Sequence, residues 1–195
     1  MGGHMEEMND YSGPFKPDLR LQDFSKDALV RLWECGGKMY LGIAGLWYDV
    51  VKEKLGEQTA IEFSREVWLG SGVKGCDLEA QWPTEAMNIH GDDVASYFKF
   101  LQVDPGAAAI WPDYTMELMS PNRGILTIKR CLPLERYEKL GQTELLMHTC
   151  HEIEVKGFER GIKHFNSRMK VTPLKLPPRK NKSEIACRWE FMIPV

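Results

Sequence analysis

The chain has 195 residues, 43% of them hydrophobic and 27% charged, with a formal net charge of −3. This length suits one folding unit, and so mild an acidic balance gives nucleic acid no electrostatic hold as a partner. No apolar run approaches the roughly 18 residues of a membrane span and no secretory apolar stretch follows the N-terminus, so the expectation is a cytoplasmic protein without membrane contact.

Residues Met1 to Met5 (MGGHM) read as an expression-vector remnant, which removes His4 from functional consideration. The polar run to Gln22, with Pro14 and Pro17, reads as an irregular surface arm. Residues 1–22 are thus set apart from a single domain over 23–195, mainly helical over 23–105 and mixed over 106–195. The expected fold class is α+β: an N-terminal helical layer packed on a C-terminal antiparallel sheet, with one helix at the centre.

Ser25 is a good N-cap, Asp27 suits a first turn and Gly56 suits a stop, so the first helix is expected from Ser25 to about Leu55. Leu29, Leu32, Trp33, Tyr40, Ile43, Trp47, Val50 and Val51 recur at helical spacing and give it a broad apolar face. Trp33, Tyr40 and Trp47 form a stripe that serves either a core or the wall of a ligand pocket. Gly36, Gly37, Gly42 and Gly45 each cost about 1 kcal/mol relative to alanine inside a helix. They point to close packing, a kink, or room for a ligand.

A second helix is expected from about Glu57 to Leu69. The GSGVKG loop that follows, Gly70 to Gly75, lacks the GK[ST] ending of a phosphate loop and comes after a helix rather than a strand. Further helices are expected at Asp77 to Met87, with Pro83 as a break or kink, and at Asp92 to Val103, capped by Asp92. Asp104-Pro105-Gly106 reads as a stop.

The period then changes. Tyr114 to Ser120 and Gly124 to Cys131 read as an antiparallel hairpin. A short helix runs to Leu140, Gly141 interrupts, and a longer helix is expected over Thr143 to Phe165. Met169 to Leu174 and Ser183 to Ile193 make a last hairpin. The basic loop between them, Lys175 to Lys182, reads as a solvated turn because no aromatic side chain is interleaved with its charges.

The chemistry concentrates in the Thr143 to Phe165 helix. On a wheel of about 100° per residue, Leu146, Cys150, Ile153, Gly157 and Gly161 centre its apolar face, and Glu154 falls on that face too. His148 and Glu152 fall on the polar side. A carboxyl among apolar neighbours must find a partner or give up its charge. The five cysteines are odd in number, widely spaced and without a CxxC pair, which fits reduced thiols.

In the last strand Ile185, Cys187, Trp189, Phe191 and Ile193 alternate with more polar residues, so Cys187 points inward, where Cys150 and Cys131 could meet it. Thiols, imidazole and carboxylate from Cys131, Cys150, His151, Glu154 and Cys187 would suit zinc or iron. A metal-free alternative makes Cys150 a nucleophile, with His151 lowering its pKa and Glu154 orienting the ring. Against it, Cys150 and His151 point about 100° apart on a helix.

Cys150, the Gly157-Phe158-Glu159-Arg160-Gly161 run and Cys187 resemble the 4-vinyl reductase type of small-molecule binding domain. The resemblance covers the last third to half of the chain and implies a ligand pocket and, in some members, zinc held by cysteines and an acid. No Glu-x-x-Cys stands between Cys150 and Cys187, where that pattern would have one. The run from Asp23 to Trp68 is similar to a family of uncharacterised cytosolic bacterial proteins, similar in turn to the L-2-amino-thiazoline-4-carboxylate hydrolase family. That likeness implies a hydrolase as an alternative.

These readings combine into one expectation, a domain enclosing an apolar or aromatic small molecule. Trp33, Tyr40, Trp47, Trp189 and Phe191 would wall it, and Cys150, His151 and Glu154 would anchor it. The alternative is a hydrolase of a carbon–nitrogen or carbon–sulfur bond, using a metal-bound water or Cys150 with Glu154 as general base. A structural protein whose polar residues are satisfied core is the third reading. Exposed aromatic surface on the first helix would, under any of these readings, allow a homodimer.

Overall fold

The computed structural model describes residues 7–194; the stretch read as a vector remnant lies outside them. Met8 bridges to Phe24 at the end of the arm. Helix α1 (Lys26–Leu55) follows, its first turn capped by the Ser25 side chain, which accepts from the Ala28 N–H, and its end marked by Gly56 at φ 90°. Positive φ is cheap only for glycine, so the chain can reverse there straight into α2 (Glu57–Leu69).

Helix α1 is covered on one side only. It packs on α2 and on a short helix α5 (Pro105–Ile110), while Met39, Ile43, Leu46 and Trp47 stay exposed on the other. Its glycines divide the same way. A Cβ on Gly37 would stand 2.2 Å from the Pro105 carbonyl oxygen, whereas Gly36 and Gly42 face open space. Gly106 returns the contact from α5, where a Cβ would stand 2.2 Å from the Tyr40 hydroxyl. Close approach of the α5 backbone accounts for Gly37, and of the Tyr40 side chain for Gly106.

Helix α5 corrects the expected stop at Asp104-Pro105-Gly106. Asp104 is an N-cap whose two carboxyl oxygens accept from the Gly106 and Ala107 N–H groups at 2.9 and 3.0 Å. Proline at the first helical position loses only an N–H that had no helical partner. Helix α3 (Gly75–Ala86) runs through Pro83, and α4 (Val94–Val103) is capped by Asp93, one residue later than expected, its side chain accepting from the Ser96 N–H.

The sheet is antiparallel with strand order β1-β2-β4-β3, from β1 (Asp113–Ser120), β2 (Arg123–Arg130), β3 (Lys170–Lys175) and β4 (Cys187–Met192). Leu126 faces Trp189 and Ile128 faces Cys187 across the central pair. Trp189 and Phe191 are fully buried on the inner face, where Phe158 lies 4.8 Å from the Trp189 ring and Tyr97 5.2 Å from Phe191. Gly124 lets α4 come down on the sheet, since a Cβ would stand 2.6 Å from the Phe98 ring. The architecture is α+β, with helices mainly in the N-terminal half and strands in the C-terminal half.

Between the strand pairs run α6 (Leu132–Leu140), α7 (Thr143–His148) and α8 (Glu154–Phe165). Helices α7 and α8 are continuous through a π turn at Thr149–Ile153. The expected single α-helix is therefore correct in span and wrong in period. Gly157 and Gly161 turn toward α3 and α4, where Cβ atoms would lie 3.2 Å from Cys76 Sγ and 3.5 Å from the Tyr97 hydroxyl.

Candidate functional site: an acid-lined cavity

A cavity of about 290 Å³ opens between the α1–α3–α5 helices, the α7–α8 segment and the inner face of the sheet. A π turn accommodates one residue more than an α turn and is often found at functional sites. Here it stands at the cavity wall, and Thr149, Cys150, Ile153, Glu154, Gly157 and Phe158 all line the space. Tyr40, Trp68, Trp111 and Trp189 add aromatic walls, and Cys131 and Cys187 bring the two other expected thiols.

Of the aromatic residues expected to wall a ligand, Tyr40 and Trp189 do so. Phe191 lies in the solid core behind them, and Trp33 and Trp47 are on the exposed side of α1, Trp47 at 61% exposure. A seven-residue interval advances a helix by about 700°, so the three rings share one face within about 40°, with Tyr40 between the tryptophans. What separates inside from outside is position along the helix: α5 meets α1 at Gly37 and Tyr40, whose hydroxyl lies against Gly106.

Glu154 is on the cavity wall and keeps the partial accessibility of a side chain that faces a void. Burial pushes its carboxyl up to about 7, with Asp104 adding to the rise, and no hydrogen-bond donor among the described residues pulls it back. Three further acids share the wall, of which Asp49 is in an exposed pair with Arg136. Glu79 accepts from the Tyr40 hydroxyl at 2.9 Å and is pushed up to about 8, chiefly by burial and then by Asp104. Asp104 is raised by burial and partly restored by its two backbone donors.

The thiols are held protonated. Burial pushes Cys131 and Cys187 up to about 12, and Cys150 well above its ordinary range, with Glu154 raising all three further. Trp189 donates its indole N–H to Cys187 Sγ at 3.2 Å. His151 stands apart. It is exposed, its Nε2 is 2.5 Å from the Pro177 carbonyl oxygen, and it is not among the lining residues. No imidazole thus activates Cys150 among the described residues.

The proposed metal donors do not converge either: among the described residues no three His, Cys, Asp or Glu side chains gather closely enough to hold an ion. Of the five expected donors, His151 is the one that does not line the cavity.

His148 is buried, which corrects its assignment to the polar side. Helix α2 covers that side: Arg65 grips Glu152 through two hydrogen bonds of 2.6 and 2.9 Å, and Glu152 in turn meets His148 Nδ1 at 3.1 Å. Burial lowers the His148 pKa against the opposing pull of Glu152, and its Nε2 is buried without a partner. On α8, Arg160 ties down the glycine loop, bonding Asp77 and the carbonyls of Leu69, Gly70 and Gly72. In the basic loop Arg179 is almost fully buried against Glu138. That loop is anchored through one charge rather than solvated throughout.

Glu79 and Asp104 escaped the sequence reading, although each left a signal. Glu79 lies three residues after Cys76 on a face shared with Ala80, the same acid-on-apolar pattern that singled out Glu154. Asp104 precedes a proline at a helix start, a recognisable cap.

Fold and cavity define a class: an α+β protein with an aromatic-walled, acid-lined chamber between helices and sheet. The chain belongs to the family described as "Family of unknown function (DUF6125)", whose model matches residues 22–193. No curated protein and no solved structure matches it. No described helix is long and apolar enough to cross a membrane.

Proposed function

We propose that the protein is a small-molecule binding domain enclosing an apolar or aromatic ligand between its helical layer and its sheet. The observation that carries this is the cavity of about 290 Å³ with Trp111, Phe158 and Trp189 in its walls and Cys150 and Glu154 among its polar groups. Ligand sites have this character, mostly apolar with a small number of placed polar atoms. The resemblance of Cys150, the Gly157 to Gly161 run and Cys187 to the 4-vinyl reductase domain supports the same reading.

A test uses Gly45, which lines the cavity and has open space where a side chain would project. Calorimetric titration with indole should saturate in the unaltered protein, and Gly45→Phe, which fills the space, should weaken it at least tenfold. Absence of saturation up to millimolar indole in the unaltered protein would sink the reading.

A hydrolase is the second reading, and Glu154 favours it: an unpaired carboxyl poised near 7 suits a general base. The protonated state of Cys150 speaks for Glu154 rather than the thiol in that role. A cytoplasmic homodimer belongs to the same proposal, built on the exposed Met39, Ile43, Leu46 and Trp47 face of α1. Sedimentation of the protein before and after Ile43→Glu tests it, a monomer in both cases removing the dimer.

A further inference from the structure

From the polar atoms that face the cavity we infer that its ligand is a cation, a protonated amine carried on an aromatic or apolar body. This rests on the cavity reading above and names its substrate class. Three carboxyls from separate elements, Glu79 on α3, Asp104 at the start of α5 and Glu154 on α8, face one chamber. The one cation in the described lining is Arg136, and its Nη2 is directed to Asp49 at 3.2 Å in an exposed pair. Nothing described inside the chamber balances the acids.

The uncharged polar atoms tilt the same way. The Oε1 of Gln142 is buried and receives no hydrogen bond, although Gln142 lines the cavity. Tyr48 lines it too, more than nine-tenths buried, and its hydroxyl, which can accept or donate, also has no partner. A buried acceptor without a donor has lost the hydrogen bonds it made to water and regained none. With its carboxyls and the Gln142 oxygen the chamber holds a surplus of acceptors, and an ammonium group with three N–H donors matches it. Aromatic faces at Tyr40, Trp68 and Trp111 suit the same guest, because ring faces attract cations.

Without a cation the acids resolve their burial by taking up protons, as the raised values of Glu79 and Glu154 indicate. An ammonium ligand displaces those protons, so binding releases them and strengthens as pH rises from about 6 to 8. Other groups on the wall do not compete. The phenols of Tyr40, Tyr48, Tyr97 and Tyr137 are raised, and so remain protonated. So do the thiols of Cys76, Cys131, Cys150 and Cys187.

Size selects the test ligands. A cavity of roughly 150 Å³ accepts benzene, so about twice that volume accepts roughly a dozen non-hydrogen atoms. Tryptamine has that size, tryptophol is its neutral isostere, and indole-3-acetate is the anionic counterpart. Calorimetry at pH 8 should show tryptamine binding at least tenfold tighter than tryptophol and indole-3-acetate weakest, with the tryptamine preference shrinking at pH 5.5. Glu154→Gln should bring tryptamine and tryptophol within threefold of each other.

Equal binding of tryptamine and tryptophol by the unaltered protein at pH 8 would overturn the cationic ligand and leave the cavity reading intact. Failure of all three to bind would overturn both. A preference that survives in Glu154→Gln would remove Glu154 from the site. The pH comparison needs no variant, so it decides the question even where a substitution unfolds the chain.

Discussion

Glu152 and Glu154 are two residues apart in one helical segment and live under opposite rules. Glu152 faces outward to α2, where the Arg65 hydrogen bonds, then His148 and Lys156, hold its carboxyl down to about 2. Glu154 faces the cavity, where burial and Asp104 lift it to about 7. Helix geometry puts them roughly 200° apart, so one step of the backbone serves a structural pair and a chemical site at once. The pair fixes the wall from outside. The acid on the inner face is free to titrate.

The largest expected break in this comparison is its pH dependence. Glu79 and Glu154 keep their protons in the folded protein at pH values where an unfolded carboxyl has lost them. Their contribution to stability is full below the ordinary carboxylate value and is lost as pH rises through about 7 and 8. Each carboxyl should contribute a loss on the order of a few kcal/mol between pH 5 and pH 8. Urea denaturation at the two pH values measures it, and Glu79→Gln with Glu154→Gln should flatten the slope. A protein equally stable at both would contradict the burial of these acids.

The next effect sets the covered face of α1 against its open face. Gly37→Ala drives a Cβ into the Pro105 carbonyl, a backbone atom that cannot turn aside, and should cost about 1–3 kcal/mol. Gly42→Ala meets open space and should gain up to about 1 kcal/mol through helix propensity. Thermal melts of the two variants should move in opposite directions. A shared sign would mean that α1 does not lie on α5 as described.

Smallest is the outer pair. Glu152 has the reverse sign from Glu154: its contribution is present above the ordinary carboxylate value and is lost as pH falls toward about 2. Arg65 is 42% exposed at its side chain, so solvent screening reduces the gain to about 1 kcal/mol. Arg65→Met should lower stability by that amount at pH 7 and by little at pH 3, as denaturant midpoints would show. Equal losses at both pH values would point to lost packing rather than a lost ion pair.

Much of the fold was legible because local chemistry dictates it. Helix α2 falls where its pattern put it, Ser25 and Gly56 bound α1, and the alternation from Ile185 to Ile193 placed Trp189 and Phe191 inside. Misreadings occurred where a local signal has two meanings. Asp104-Pro105-Gly106 is equally a stop and a capped helix start, and only packing of Gly106 against Tyr40 selects the latter. His148 looked solvated because nothing in its own helix shows that α2 lies over it.

By itself, then, the sequence determined most of the elements, the class of fold, and Cys150 with Glu154 as an anomaly on an apolar face, but neither α5 nor the π turn. Those features depend on neighbours within a few residues, where spacing and side-chain chemistry suffice. Only the tertiary structure decided that Glu79, Asp104 and Glu154 share one chamber, that His151 turns away from it, and that Trp47 stays outside. Three acids distant in sequence line one cavity through the packing of α3, α5 and α8, and their raised affinity for protons arises from that burial rather than from any residue alone.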